Sequence, residues 1–297
     1  MKAGTSTPIR SPIKWAGGKS RLRKLVVAML PDDHSCYVEP FGGAAWVLFA
    51  KPRSDVEVYN DLHGELVNFF KVVRDKPKEF IQSFKWELVS REIYEELAQT
   101  SPAELSDLER AHRFFYLIMA GWGGESSYYR FQTSIKDGGH GNRLIGALKT
   151  LENRITRAHE RLKTVIIEHL PWEEVLDKYD SKQTVFYLDP PYPGNGVNYG
   201  LNMKDLEEHK LLWEALASLS GKWVLSTYDK PHLVSAMREV IGGDMYIYPV
   251  QSYSGMRTSK EAASRVRNAE LLVTNYPATE EFLKLAPSAA PKETPLF

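Results

Sequence analysis

Short apolar strands alternate with amphipathic helices in the first and last parts of this chain, and this alternation restricts its fold more than any other feature. In the first part, strands are predicted at 36–39 and 56–59, and each is followed by a helix. In the last part, strands and helices are predicted at 164–168, 184–188, 205–219, 222–227, 232–241, 245–251 and 270–276. Such alternation is typical of a mostly parallel sheet with helices on both faces. The chain is therefore predicted to be an α/β protein.

The region between these two parts has a different pattern. From residue 77 to residue 162 the chain contains no convincing strand, and helices are predicted at 77–89, 91–99, 102–120 and 143–162. An all-helical block of this length inside an alternating pattern indicates an insertion or a second domain. We therefore predict a sheet domain at 8–75 and 164–276, a helical domain at 76–163, and a flexible tail at 277–297.

Composition excludes several classes of protein. The chain has a single cysteine, Cys36, which excludes an intrachain disulfide framework and a cysteine-rich zinc site. The longest apolar stretch, at 114–122, is too short to cross a bilayer, and no apolar run of the signal-peptide kind opens the chain. We expect a protein of a reducing cytoplasm, without a membrane segment and without a metal.

The net charge is zero, but charges of opposite sign are separated along the chain. Residues 1–31 contain seven basic side chains and no acidic one, and residues 126–163 contain eight basic and three acidic ones. Residues 55–109 contain thirteen acidic and six basic side chains. Separated blocks permit one basic face, as nucleic-acid binding requires, although solvated helix faces produce the same pattern.

The tetrapeptide Asp189-Pro190-Pro191-Tyr192 directly follows the strand predicted at 184–188. Ligands of open α/β sheets bind beyond the carboxyl ends of the strands, so chemistry is expected at this position. The two prolines lack N–H donors, and the segment therefore presents acceptors, namely the Asp189 carboxylate and backbone carbonyls. Acceptors beside the flat ring of Tyr192 suit the amino group of adenine or cytosine. An ordinary turn with a helix-capping Asp is the alternative interpretation.

Two glycine-containing segments precede predicted helices near the N-terminus. Residues 14–19 have the sequence KWAGGK, and residues 38–45 have the sequence VEPFGGAA. Glycines at a helix start let a ligand approach the backbone closely, although neither segment has the spacing of a P-loop or a dinucleotide fingerprint. Asp61 follows the second strand, where an acid can accept hydrogen bonds from ribose hydroxyls. Together these features indicate a Rossmann-like site for an adenosine-bearing ligand without a pyrophosphate.

The order of these motifs resembles that of the Dam-like adenine-N6 DNA methyltransferases. The resemblance is carried by KWAGGK, EPFGGAA, the NDL at 60–62, the helical insertion and DPPY. Members of that family bind S-adenosylmethionine (SAM) and methylate a flipped-out adenine. The resemblance therefore implies a Rossmann-like SAM-dependent methyltransferase sheet with an inserted, mostly helical target-recognition domain. It also implies double-stranded DNA as the substrate.

The resemblance assigns roles to individual residues. The catalytic residues that it implies are Asp189, Pro190 and Tyr192. The SAM-binding residues that it implies are Trp15, Lys19, Glu39, Phe41, Gly42, Asp61 and Asp189. The segment at 225–229 resembles a motif beside the base pocket, and the segment at 257–272 resembles the final basic loop and strand of the family.

The helical insertion departs from the family pattern, so a GATC target should not be assumed. Its loop at 121–143 mixes aromatic residues with Arg, Gln and Asn, which suits contacts to base edges and phosphates. Packing of the aromatic rings on the helices is the alternative interpretation. The candidate DNA-binding residues are Trp122, Tyr129, Arg130, Lys136, Asn142, Arg143 and Arg257.

Several alternatives stay open at the level of sequence. Cytosine-N4 methylation uses the same amino-group chemistry, although those enzymes more often have Ser at the position of Asp189. RNA methylation is a further alternative, in which Asn usually stands there. A catalytically inactive DNA-binding relative is disfavoured because the motif residues are intact. The target sequence, the oligomeric state and the existence of a cognate restriction endonuclease are not determined.

Overall fold

The computed structural model describes residues 9–15, 17–121, 130–132, 142–192, 203, 205–242, 245–253 and 267–287 of the 297-residue chain. The chain forms two compact units. Unit 1 comprises residues 1–18, 43–52 and 63–167. Unit 2 comprises residues 19–42, 53–62 and 168–297.

Among the described residues, seven strands form one sheet. They are β1 (Cys36–Glu39), β2 (Val56–Asn60), β3 (Val165–Glu168), β4 (Thr184–Leu188), β5 (Lys222–Tyr228), β6 (Tyr246–Tyr253) and β7 (Arg267–Thr274). Their order across the sheet is β3-β2-β1-β4-β5-β7-β6. Strand β1 is parallel to β2 and β4, β4 is parallel to β5, and β7 is antiparallel to β5 and β6. The predicted α/β fold class is confirmed, and the direction of strand progression reverses between β1 and β4.

Twelve α-helices lie within the described ranges. They are α1 (Arg23–Met29), α2 (Trp46–Ala50), α3 (Gly64–Asp75), α4 (Pro77–Ser83), α5 (Arg91–Gln99), α6 (Asp107–Ala120), α7 (Arg143–Leu148), α8 (Leu151–Leu162), α9 (Trp172–Tyr179), α10 (Leu206–Ser218), α11 (Pro231–Ile241) and α12 (Glu280–Leu285). Capping boxes fix the starts of two of them, through Ser106 and Glu109 at α6 and through Asp205 and Glu208 at α10. Helices α3 to α8 all belong to unit 1.

The compact units divide the chain differently from the predicted domains, because α3 belongs to unit 1 and not to the sheet unit. Its apolar face packs on α6, where the Phe69 ring lies 5.8 Å from that of Phe114 and 6.0 Å from that of Phe115. All three rings are buried. Periodicity identified α3 as an amphipathic helix but did not indicate which partner would bury its apolar face.

The segment predicted as a flexible tail contains the short helix α12. The Thr279 hydroxyl caps this helix by accepting from Phe282 N at 3.1 Å. Phe282 is fully buried, and its ring packs edge-on against that of Tyr248 at 5.4 Å. One apolar anchor in six residues leaves no periodic signal, so the pattern did not predict this helix.

The central strand of the sheet, β4, is buried along its whole length. All five residues of β4 are buried, as expected for a parallel strand covered on both faces. The start of β5 is fixed by Asp180, whose carboxylate accepts from Ser220 N and Gly221 N at 2.9 Å each. Trp223 on β5 is buried and donates from Nε1 to Leu216 O at 3.1 Å. These contacts hold the start of β5 in place beside β4.

Candidate active site at the carboxyl ends of the parallel strands

An acidic residue lies at or directly after the carboxyl end of each of three neighbouring parallel strands. Glu39 is the last residue of β1, Asp61 directly follows β2, and Asp189 directly follows β4. Because β1 is hydrogen-bonded between β2 and β4, the three acids lie along one edge of the sheet. This edge contains the point where strand progression reverses, the usual ligand site of open α/β sheets. The three carboxylates supply acceptors there for hydroxyl and amino groups.

Asp189 forms an ion pair with Lys19. The distance from Lys19 Nζ to Asp189 Oδ1 is 2.7 Å, and the two side chains are only 9% and 17% exposed. Burial raises the pKa of Asp189 above its ordinary value, and the Lys19 charge only partly opposes this. Burial lowers the pKa of Lys19, but the carboxylates of Asp189 and Glu270 outweigh that effect and leave the pKa raised. Lys19 therefore keeps its charge at neutral pH.

Glu270 on β7 is a second carboxylate beside Lys19, and it is not among the residues predicted from the sequence for this site. Its Oε2 lies 3.6 Å from Lys19 Nζ and accepts a hydrogen bond from the Tyr192 hydroxyl at 3.2 Å. The residue is 7% exposed. An acid followed by the apolar run Leu271 to Val273 was the available signal, because a buried carboxylate in a strand needs a partner.

Tyr192, the last residue of the DPPY turn, is buried among other site residues. Its ring packs edge-to-face on that of Tyr228, with centroids 4.4 Å apart and planes at 74°. Lys19 Nζ lies 4.7 Å from the Tyr192 ring centroid, within cation–π range. Tyr228 ends β5 and is only half-buried, so it is the more accessible ring of the pair.

The turn after β1 is packed directly against the end of β2. A Cβ at Gly42 would lie 2.2 Å from Tyr59 Cε2 and 2.9 Å from Asn60 O. Gly42 N donates to Asn60 O at 2.7 Å, and Asn60 Nδ2 donates to Pro40 O at 2.8 Å. The glycine therefore permits an approach between backbone and ring that no other residue allows.

The remaining residues predicted for SAM binding in unit 2 differ in exposure. Glu39 is buried, and its Oε1 accepts from the Tyr37 hydroxyl at 2.6 Å. Burial and the Glu39 charge raise the pKa of Tyr37 well above its ordinary value, so the phenol stays a donor. Phe41 is half-buried with its ring 6.5 Å from that of Trp172, and Asp61 is half-buried. Phe41 and Asp61 are thus the more accessible members of this set.

Trp15, also predicted for SAM binding, belongs to unit 1. Its ring is half-buried, packs edge-on against His63 at 5.1 Å, and lies tilted against the Phe114 ring at 5.9 Å. Its carbonyl accepts from Gly18 N at 3.1 Å, which closes the glycine turn. The packing of unit 1 therefore fixes the orientation of Trp15.

Three of the predicted DNA-binding residues lie within the described ranges, and they have different environments. Arg130 is exposed. Asn142 is buried and caps α7 through its Oδ1, while its Nδ2 donates to Gln132 O at 3.0 Å. Arg143 is half-buried and donates to Gln132 Oε1 at 2.7 Å and to Gly121 O at 2.6 Å. Asn142 and Arg143 therefore tie the ends of the loop to its middle at Gln132. The exposed Arg130 side chain has no such contact among the described residues.

The other predicted DNA-binding residues lie outside the described ranges, namely Trp122, Tyr129, Lys136 and Arg257. Over the described part of the chain, no group of three or more His, Cys, Asp or Glu side chains is arranged to hold a metal ion. No helix in that part is both long and apolar enough to cross a membrane.

A family model described as D12 class N6 adenine-specific DNA methyltransferase matches residues 15–253. The chain belongs to this family. It is an adenine-specific DNA methyltransferase, so its substrate is DNA, and membership implies SAM as the methyl donor. The resemblance to the Dam-like enzymes is thereby confirmed. The family assignment supports adenine N6 rather than cytosine N4 as the methylated atom, and DNA rather than RNA as the substrate.

Individual relatives agree with this assignment over most of the chain. The Type II methyltransferase M.CviBI of Paramecium bursaria Chlorella virus NC1A is 26% identical, covering 89% of this chain and 98% of the relative. The DNA adenine methylase of Haemophilus influenzae is 24% identical, covering 78% of this chain and 82% of the relative. The Type II methyltransferase M1.LlaDCHI of Lactococcus lactis subsp. cremoris is 25% identical, covering 90% and 96%.

Proposed function

We propose that the chain methylates adenine N6 at a specific sequence in double-stranded DNA, on a base flipped out of the helix, with Asp189, Pro190 and Tyr192 as catalytic residues. The observation that carries this proposal is the placement of Asp189. It directly follows β4 where strand progression reverses, largely buried and 2.7 Å from the Lys19 ammonium. We place the reaction in the cytoplasm and propose that it uses no metal.

The chemical problem is the weak nucleophilicity of the adenine amino group, whose lone pair is delocalised into the ring. In our proposal the Asp189 carboxylate and the Pro190 carbonyl accept the two amino hydrogens and so localise the lone pair on the nitrogen. Lys19 holds Asp189 Oδ1, which restricts rotation of the carboxylate before the substrate arrives. Such acceptors, already aligned in a site with little water, act mainly through electrostatics and orientation.

The acids at the ends of β1 and β2 fit the donors that SAM carries. Asp61 and Glu39 offer carboxylate acceptors for ribose hydroxyls and for an ammonium group, and the half-buried Phe41 ring offers an apolar face. The Gly42 turn keeps backbone rather than side chain at this edge. When bound, SAM supplies the electrophilic methyl group. Trp15 and Lys19 keep their proposed assignment to SAM binding.

The aromatic pair at the ends of β4 and β5 is the proposed surface for the flipped adenine. Tyr192 is held by Glu270, Lys19 and Tyr228, so its ring has a fixed direction. The more accessible Tyr228 extends this aromatic surface. A flipped base gains about 1–3 kcal/mol from stacking on an aromatic ring, which offsets part of the cost of leaving the DNA stack.

One assay tests the proposal as a whole. Labelled SAM is incubated with the protein and either duplex DNA or RNA, and the nucleosides are then separated by chromatography. We expect label in N6-methyldeoxyadenosine alone, and sequencing of modified plasmid positions should give one recurring target sequence. Label in methylcytosine, label only in RNA, or modified adenines without a common sequence would each contradict it.

Replacing Asp61 by alanine is expected to weaken SAM binding about 10- to 100-fold. The reason is the loss of hydrogen bonds to a charged acceptor, which contribute about 1.5–3 kcal/mol. Calorimetric titration with SAM in the absence of DNA measures the effect. The matched control is Asp55→Ala, which removes an exposed acid before the amino end of the same strand and should leave SAM affinity unchanged. Equal affinities in the two variants would remove Asp61 from the SAM site.

Replacing Arg130 by alanine is expected to weaken DNA binding with little change in thermal stability, because this side chain is exposed. If Arg130 contacts a phosphate, the affinity for all DNA sequences falls alike. The slope of log affinity against log salt concentration then decreases in magnitude by about one. If it contacts a base, preference relaxes at one base pair at a cost of about 1–3 kcal/mol. Fluorescence anisotropy at several salt concentrations separates the two cases. The control Lys78→Ala removes an exposed positive charge from α4, and DNA affinity equal to that control would refute the assignment.

A further inference from the structure

Glu270 lies opposite Tyr228 in the antiparallel pair of β5 and β7. Side chains of directly paired residues in antiparallel strands lie on the same face of the sheet. The register of this strand pair therefore brings a carboxylate from β7 to the aromatic pair beside Asp189. Burial of the Glu270 side chain, which is 9% exposed, excludes most of the water that would otherwise solvate it.

One oxygen of Glu270 meets two donors of the site. Oε2 accepts from the Tyr192 hydroxyl at 3.2 Å and lies 3.6 Å from Lys19 Nζ. The Lys19 ammonium consequently stands between two carboxylates, with Asp189 the nearer at 2.7 Å. A buried carboxylate is costly unless it is paired and hydrogen-bonded, and both partners here belong to the proposed catalytic centre.

Packing alone does not explain this residue. Its neighbours Leu271, Leu272 and Val273 on β7 are apolar and buried, and an apolar side chain at position 270 would cost less desolvation. A carboxylate there does what an apolar residue cannot do, because it binds the phenol and attracts the ammonium.

We propose that Glu270 is a positioning residue for methyl transfer, which orients the Tyr192 ring through its hydroxyl and holds Lys19 against Asp189. This inference rests on the proposed function, in which Asp189 and Tyr192 contact the target base. Glu270 itself acts through these neighbours and does not contact the base.

A charge effect separates this role from simple packing. The titratable groups that act on Asp189 from the surrounding elements are Lys19, Tyr187, Tyr192, Tyr228 and Glu270. Burial is the largest cause of the raised pKa of Asp189. Among these groups, Glu270 is the one whose negative charge raises this pKa further. Catalysis requires Asp189 as a carboxylate, so kcat falls as pH drops through this pKa. Removing the Glu270 charge favours the carboxylate form of Asp189. The acid limb of the pH profile of kcat, where activity is lost on acidification, should therefore move to lower pH.

The test compares two variants of the full chain by pH profiles of kcat for DNA methylation. Glu270→Gln keeps an oxygen that accepts from Tyr192 but removes the charge, and we expect its acid limb to lie at lower pH than in the wild type. Glu270→Leu removes both contacts, and we expect its kcat to fall about tenfold or more, since small misplacements in an active site have effects of this size. Thermal unfolding of both variants reports their folding. If the leucine variant does not fold, the glutamine profile alone decides.

Glu168→Gln provides the matched control, because Glu168 on β3 also accepts from a tyrosine hydroxyl, that of Tyr179 at 2.6 Å, but outside the site. Its acid limb should match the wild type. An unshifted limb in Glu270→Gln, with or without a lower rate, would overturn the inference and leave Glu270 a packing role. Failure of the proposed function would give a different result. Either the wild type itself would transfer no methyl group to adenine, or Asp189→Asn would retain full activity.

Discussion

Replacing Asp189 by asparagine is expected to reduce kcat for DNA methylation about 100- to 1000-fold, the usual effect of losing one aligned electrostatic contact in an active site. The asparagine retains the shape of the side chain but loses the charge. Its amide nitrogen is a hydrogen-bond donor, so it cannot accept an amino hydrogen of the base as the lost carboxylate oxygen would. The charge–charge attraction to Lys19 is also lost, so the side chain is held less firmly. Single-turnover methylation with labelled SAM measures the chemical step directly.

The fold should survive this substitution, because Glu270 still compensates the Lys19 ammonium. The control is Asp205→Asn, which changes an exposed capping residue on the same unit. Asparagine and aspartate cap helices about equally well, so this control should match the wild type in rate and stability. A kcat of Asp189→Asn within tenfold of the wild-type value would remove Asp189 from the catalytic centre.

Replacing Gly42 by alanine is expected to destabilise the protein by about 3 kcal/mol, the upper end of the range for overpacking. The new Cβ would lie 2.2 Å from the fully buried Tyr59 ring and 2.9 Å from the Asn60 carbonyl, and neither group can move without disturbing β2. For a protein of this size the loss corresponds to a Tm lower by about 6–12 °C. Differential scanning calorimetry measures it.

Gly146→Ala is the control for Gly42→Ala, because both add one methyl group. Gly146 lies inside α7, and a Cβ there would meet no atom within 4 Å. Alanine is favoured over glycine in helix interiors by about 1 kcal/mol, so this variant should be slightly more stable than the wild type. Equal unfolding temperatures in the two variants would show that the turn after β1 adjusts freely.

Several elements could be predicted from the sequence with their observed bounds. Strands β1 and β4 and helix α5 begin and end at the predicted residues. Prolines that shortly follow β1 and β4 mark these strand ends, and Ser90 caps α5 by accepting from Glu92 N at 3.1 Å. These signals lie within a few residues of the element that they delimit, so a local pattern is sufficient to find them.

Other elements depend on contacts that a local pattern does not contain. The helix predicted over 143–162 is two helices, α7 and α8, separated at Lys149 and Thr150. Helix α9 was not predicted, and its eight residues bury only Val175 and Leu176. Helices this short are marginal alone and form because tertiary packing stabilises them.

The candidate site divides in the same way. Asp189 and Tyr192 could be predicted as candidate site residues because a rigid tetrapeptide directly follows a strong strand. Glu270 was not predicted, because it meets Tyr192 from 78 positions further along the chain. For Asn142, the side-chain type suggested a DNA contact, which stays a prediction, and the tertiary structure adds that its buried side chain bonds to the backbone of Ala120, Gln132 and Leu144.

The sequence by itself determined the alternation of strands and helices, the order of the motifs and the acceptor residues that directly follow β4. These properties depend on periodicity and on neighbouring residues, which the chain carries locally. Only the tertiary structure decided that α3 packs with the helical unit and that Lys19 stands between two carboxylates. The first depends on which apolar faces meet, and the second on the register between β5 and β7, because a strand specifies its own alternation but not its partner.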